Sequence, residues 1–141
     1  MKKDSTTAIN EQYKYSELTS RIIACAMEVH SILGNGFQEV IYQRALALEF
    51  QLQGIHYLRE KEMKVFYKTR RVGTRRVDFL VEELISTELK ATTQLTPGNL
   101  AQAINYLEAY NLEVGLLINF GTPSLQFHRL VNKKFKAPSL S

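Results

Sequence analysis

Asp78-Phe79-Leu80-Val81-Glu82-Glu83-Leu84-Ile85-Ser86-Thr87-Glu88-Leu89-Lys90 is the stretch on which the reading of this chain turns. Val77–Val81 and Leu84–Ala91 are rich in apolar and β-branched residues and are joined tightly through Glu82-Glu83, which predicts a pair of strands. Residues two apart on a strand point the same way, so Glu88 and Lys90 share one face while Leu89 and Ala91 share the other. Leu89 and Ala91 suit a core. A carboxylate and an ammonium side by side on a central strand need a reason, because buried charge is costly unless it is paired or binds metal. Pairing of the two strands would bring Asp78 within reach of Glu88, and two converging carboxylates make an oxygen-rich site for Mg²⁺ or Mn²⁺. Lys90 beside them would hold an attacking water or stabilise charge building on a phosphate. Taken alone, the Glu-x-Lys triplet is better explained as a surface salt bridge on a strand, so the flanking sequence has to decide.

Upstream, Leu18, Ile22, Ala26, Val29 and Leu33 recur in steps of three and four, predicting a helix over 16–33 that Gly34 stops. A turn, Gly34-Asn35-Gly36, leads into a second helix from about Gln38 to Gln53, with Ile41, Ala45, Leu48 and Leu52 as its apolar stripe and Gly54 as its end. Glu39 and Tyr42, three apart at the start of that helix, lie on one face; an acid there is also an ordinary partner for the helix dipole. Ile55–Leu58 and Met63–Tyr67 read as short strands, and Lys68-Thr69-Arg70-Arg71-Val72-Gly73-Thr74-Arg75-Arg76 as the connection to Val77. Downstream, Thr96-Pro97 supplies a cap and a first-turn proline for a helix running to Tyr110 and stopping at Asn111. Gln102 and Tyr106, four apart on it, form a polar pair that can hold a phosphate or a site carboxylate, or else mere packing. Val114–Phe120 is apolar without alternation, as in a strand buried on both faces, and Gln126–Val131 reads as an edge strand.

The order helix, helix, several strands, helix, strand describes one mixed α/β domain over 16–132. Residues 1–15 read as a loose polar arm and 133–141 as a frayed basic tail. A chain of 141 residues with 45% hydrophobic content can bury a core without staples. No apolar run approaches a membrane span, and the N-terminus turns polar where a signal peptide would be apolar, so no membrane role is expected. Cys25, the only cysteine, excludes an internal disulfide and a cysteine zinc cage and suits a reducing, cytoplasmic setting; within the first helix it reads as packing. His30, His56 and His128 show no ligand spacing, and no Ser–His–acid set or phosphate-cradling glycine loop is visible. The net charge of +4 permits an anionic partner without requiring one. Arg70, Arg71, Arg75 and Arg76, just before Asp78, would grip phosphates if they flank the site, or simply solvate a hairpin.

Taken together, Gly36…Glu39…Tyr42, Asp78…Glu88-Leu89-Lys90, Gln102…Tyr106 and the Val114–Phe120 strand resemble the GxxExxY proteins, a branch of the PD-(D/E)XK nuclease superfamily, over about residues 16–132. Val77 stands where the superfamily's name has proline, and Asn35 where a proline is usual in the turn. The resemblance implies a restriction-endonuclease-like core, a mixed sheet flanked by helices, with an extra N-terminal helix. It implies Asp78 and Glu88 as metal ligands, the Leu89 carbonyl as a third, and Glu39 as a ligand directly or through water. It further implies Lys90 as the catalytic lysine, and Gln102, Tyr106 and Tyr42 as support for site or substrate. The expectation is a Mg²⁺-dependent phosphodiesterase, with Mn²⁺ as substitute, acting on nucleic acid, DNA foremost. The alternatives are a non-catalytic nucleic-acid-binding module and a protein-interaction module on the same fold; a homo-oligomer is compatible with each.

Overall fold

The structure, a computed structural model, describes residues 15–138. The expected arm falls outside these residues except for Tyr15, as does the tail beyond residue 138. Helix α1 (Ser16–Leu33) buries Ile22, Ala26 and Val29, as the spacing predicts, and ends at Gly34, whose φ of 72° suits glycine. Helix α2 (Glu39–Leu52) corrects the expected stripe: Tyr42, Gln43, Leu46, Ala47 and Phe50 are buried, while Leu48 and Leu52 are exposed. Two rival stripes of helical period exist on α2, and the one carrying the two aromatic rings buries more area.

The sheet holds five strands: β1 (Tyr57–Tyr67), β2 (Arg70–Val81), β3 (Ile85–Lys90), β4 (Val114–Asn119) and β5 (Gln126–Val131), in that spatial order. All neighbours are antiparallel except β3 and β4, which are parallel and joined through helix α3 (Pro97–Ala109). Two expectations are overturned in the β1–β2 hairpin. The two short strands are one, and the basic stretch is no connection: residues 70–76 lie within β2, leaving Lys68-Thr69 as the turn. Both turn residues have positive φ, 47° and 68°, the geometry of a tight hairpin that glycine or asparagine usually announces; here neither does. Glu82 and Glu83 repeat this at the β2–β3 turn, at 53° and 58°.

Helices α1 and α2 pack on one face of the sheet over Phe79, Val81, Ile85, Leu89, Leu116 and Ile118. On the other face α3 packs over Leu117 and Leu130, and its Tyr106 meets Val77 and Leu80. All six residues of β4 are buried between the two layers. Thr96 caps α3, with Asn99 completing a reciprocal capping box. The start of the expected tail is tied back rather than frayed: Asn111 holds both the N–H and the carbonyl of Lys136, at 3.0 and 2.8 Å. Among the described residues, a mixed five-stranded sheet is flanked by three helices, a restriction-endonuclease-like fold.

Candidate active site

The site forms where β2 and β3 part. Their pairing covers Val81↔Ile85, Leu80↔Ser86 and Phe79↔Thr87 and stops there. The next residue, Asp78, reaches across with its side chain instead: Oδ2 accepts the Leu89 N–H at 2.8 Å. Because the strands separate, helices from opposite faces reach one cleft. Its lining comprises Glu39 from α2, Arg75, Arg76 and Asp78 from β2, Glu88, Leu89 and Lys90 from β3, and Gln102 from α3.

Three carboxylates and one ammonium converge there. Burial raises the pKa of Glu39, Asp78 and Glu88, and Asp78 adds to the rise at Glu39 and Glu88 by repulsion. The Lys90 ammonium, which lines the same cleft, lowers all three. At Asp78 the hydrogen bonds from Leu89 and Gln43 oppose the effect of burial. Beside Glu88, the Arg75 guanidinium stands 3.6 Å from Oε1 and favours the ionised form.

Gln43 is a site residue that the sequence reading missed. It is buried on α2, donates to Asp78 Oδ1 at 2.8 Å and accepts from Arg59 Nε at 2.8 Å, so it locks one carboxylate oxygen in place. One signal pointed to it: it lies four residues after Glu39, on the same helical face.

The expected support residues divide. Tyr42 does not line the cleft; its hydroxyl donates to Gly34 O at 2.6 Å and accepts the Phe37 N–H at 3.1 Å, and its ring stacks on Phe120. It therefore fixes the turn that delivers Glu39. Tyr106 is fully buried with its hydroxyl unpartnered and pushed up to about 12 by burial; its ring underlies the Arg75 guanidinium at 5.2 Å. Gln102 lines the cleft, and its carbonyl accepts from Arg75 at 2.6 Å.

The four arginines divide as well. Arg75 is held by Gln102, Asn105 and Glu88, so it orders the site rather than standing free. Arg76 reaches Glu60 and Glu62, at 3.9 and 3.5 Å. Arg70 and Arg71 do not line the cleft, because β2 carries them to the hairpin end, opposite Tyr67 and Phe66 and seven or more residues from Asp78. Outside the site, Cys25 is buried with its thiol pushed up to about 11, chiefly by desolvation, which suits packing. His30 is pinned to Thr122 O at 2.9 Å.

The donor set fits a hard divalent cation: it is all oxygen, crowded with like charge, and each carboxylate is held above its ordinary pKa by burial. Among the described residues no group of three His, Cys, Asp or Glu forms a ready metal cage. Two carboxylates completed by waters and substrate phosphates are the usual pattern for Mg²⁺.

The raised pKa of Glu39 gives a stability prediction. A carboxyl held above its ordinary value stabilises the fold below that value and loses the contribution as pH rises through its folded pKa. Glu39→Gln, which mimics the protonated form, is therefore expected to raise the Tm at pH 8 by about 1–3 °C. The gain should vanish near pH 4, as thermal melts across pH would record; an equal gain at all pH would disprove the electrostatic cause.

Comparison with known proteins bears on the fold and the superfamily. A family model of the PD-(D/E)XK nuclease superfamily matches residues 16–130, and the chain belongs to that superfamily. Its enzymes are in general nucleases that use divalent metals. Among solved structures, the crystal structure of SSO0001 is similar at 19% identity and a TM-score of 0.51, covering 87% of this chain. The match spans 61% of that protein's chain and supports the fold. No curated protein matches the chain significantly.

Proposed function

We propose that this protein is a divalent-metal-dependent phosphodiesterase acting on nucleic acid, DNA foremost, in the cytoplasm, and that within its superfamily it is a GxxExxY protein. The observation that carries this reading is that Glu39, Asp78, Glu88 and Lys90, from three different elements, line one cleft. Asp78, Glu88 and the Leu89 carbonyl would hold Mg²⁺, with Mn²⁺ as substitute and Glu39 at the edge, directly or through water. A cation bound there supplies Lewis acidity, polarising a phosphoryl oxygen and acidifying a water.

The chain's own groups do the rest. Lys90 orients the attacking water and counters the charge that develops on the phosphate. Gln43 and the Leu89 N–H fix Asp78 by its two oxygens, so that the carboxylate needs little reorganisation. Arg75, clamped between α3 and Glu88, sets the position of the second carboxylate.

A second reading, a nucleic-acid-binding module without turnover, draws on the same ion pair: Arg75 already offsets part of the charge that a metal would neutralise at Glu88. Calorimetric titration of Mn²⁺ separates the two. Saturable binding to the wild type, lost together with cleavage in Asp78→Ala, is expected. A folded wild type that neither binds Mn²⁺ nor cleaves DNA or RNA in its presence would overturn the enzymatic reading.

A further inference from the structure

The β1–β2 hairpin runs far past the body of the domain. Every residue from Lys64 to Thr74 is exposed, on both faces of the ribbon. Among them Phe66, Tyr67 and Val72 are 58%, 63% and 64% accessible, an unusual concentration of apolar surface. The charge is of one sign: from Met63 to Val77 the chain carries Lys64, Lys68, Arg70, Arg71, Arg75 and Arg76 and no acid. The register sets each ring opposite an arginine, with Phe66↔Arg71 and Tyr67↔Arg70, and successive residues alternate faces. Each face of the arm thus offers one aromatic ring beside one guanidinium. Lys68 Nζ lies 5.4 Å from the Tyr67 ring centroid, adding a third cation at the tip.

The root of this arm is anchored. Tyr110 donates to Lys64 O at 3.3 Å, Met63 packs in the Tyr106 cluster, and Arg75 is fixed in the cleft. At about 3.3 Å per residue, Arg71 stands about 23 Å along the strand from Asp78. That distance is about seven nucleotides at a rise of 3.4 Å.

Rings standing free on a basic surface suit an unpaired nucleic-acid strand, whose bases stack on aromatic faces while cations follow the phosphates. A duplex would engage only the cations. Two copies of the arm would bring like charges together. We propose that the hairpin arm is a docking site for single-stranded nucleic acid, stacking bases on Phe66 and Tyr67 and holding a strand that leads to the cleft. This rests on the reading of the cleft as one that acts on nucleic acid, and it names the strand state of that substrate.

The test is fluorescence anisotropy of a labelled 20-nucleotide oligo-dT and of a 20-base-pair duplex, in EDTA so that nothing is cut. For Phe66→Ser/Tyr67→Ser the single strand should bind about tenfold or more weakly, with little change for the duplex. For Arg70→Gln/Arg71→Gln the slope of log affinity against log salt should flatten by about 1.4 for the single strand. Unchanged single-strand affinity in both variants overturns the proposal, as does an equal loss for strand and duplex. A wild-type dimer in light scattering that the aromatic variant dissociates, with DNA affinity intact, assigns the arm to self-association instead. Catalysis is read separately: arm-dependent binding by a protein that never cleaves leaves this site standing without the proposed activity, and cleavage with arm variants that bind normally removes this site alone.

Discussion

Lys90→Ala is expected to slow metal-dependent cleavage by about 10²–10³-fold, the usual loss when one preorganised group is removed from developing charge. Mn²⁺ affinity at pH 8 should not fall, because Lys90 is a cation beside the metal position and its removal relieves repulsion. The structure supplies the reason for expecting this split. The Lys90 ammonium lines the cleft with Glu39, Asp78 and Glu88 and lowers the pKa of each, so it serves in the resting protein as a shared counter-charge for all three. Without it the carboxylates should hold their protons to higher pH, moving the rise of activity with pH upward. Lys90→Arg keeps the charge but not the compact ammonium and is expected to restore little activity. Cleavage by Lys90→Ala at the wild-type rate, in a preparation whose Asp78→Ala counterpart is inactive, would remove Lys90 from the mechanism while keeping the metal site.

Gly121→Ala is expected to destabilise the fold by about 3 kcal/mol or more, as overpacking against backbone does. A Cβ on Gly121 would overlap the backbone N and O of Thr92 and the carbonyl carbon of Ala91. This is a crossing of two backbones, with no flexible side chain to yield. Asn119 ties the same crossing: its Oδ1 accepts from Thr92 N and Gly121 N, and its Nδ2 donates to Thr92 O and Gln126 Oε1. The crossing also governs the site, since Phe120 N donates to Lys90 O at 2.8 Å and Thr92 is two residues past Lys90. Melts followed by circular dichroism should show a Tm lower by about 10 °C or more. Gly98→Ala is the control: in the first turn of α3 its Cβ would meet only Thr96 Oγ1, at 3.6 Å, so the added helix propensity should leave stability equal or slightly higher. Equal melting of Gly121→Ala and the wild type would contradict the crossing.

The order of elements was legible from local pattern: the α1 stripe, the Thr96-Pro97 start of α3 and the unbroken apolar run of β4 each follow from spacing or capping chemistry within a few residues. Strand parity put Asp78, Glu88 and Lys90 forward as candidates, and only their conjunction with Glu39, Gln102 and Tyr106 in the family resemblance set them apart from a surface salt bridge. The face assignment at β3 was legible too: Leu89 lies in the core with the α1–α2 layer, and Glu88 and Lys90 have the opposite parity.

Tertiary structure decided what depends on partners distant in sequence. The α2 stripe could not be chosen locally, because Ile41-Ala45-Leu48-Leu52 and Tyr42-Leu46-Phe50 have the same period; the choice came from the fit of the two rings against Phe120 and Phe79. The basic stretch looked like a connection because its turn, Lys68-Thr69, lacks the glycine or asparagine that positive φ normally selects. The roles of Gln43, Arg75 and Asn119 also stayed hidden, since each is defined by hydrogen bonds spanning up to 35 residues. The sequence by itself determined which residues carry the charge and on which elements they lie, since those are properties of short periodic segments. Only the packed sheet, parting after Phe79↔Thr87, decided that α2, β2 and β3 would bring those charges to one cleft, with Gln102 of α3 beside them.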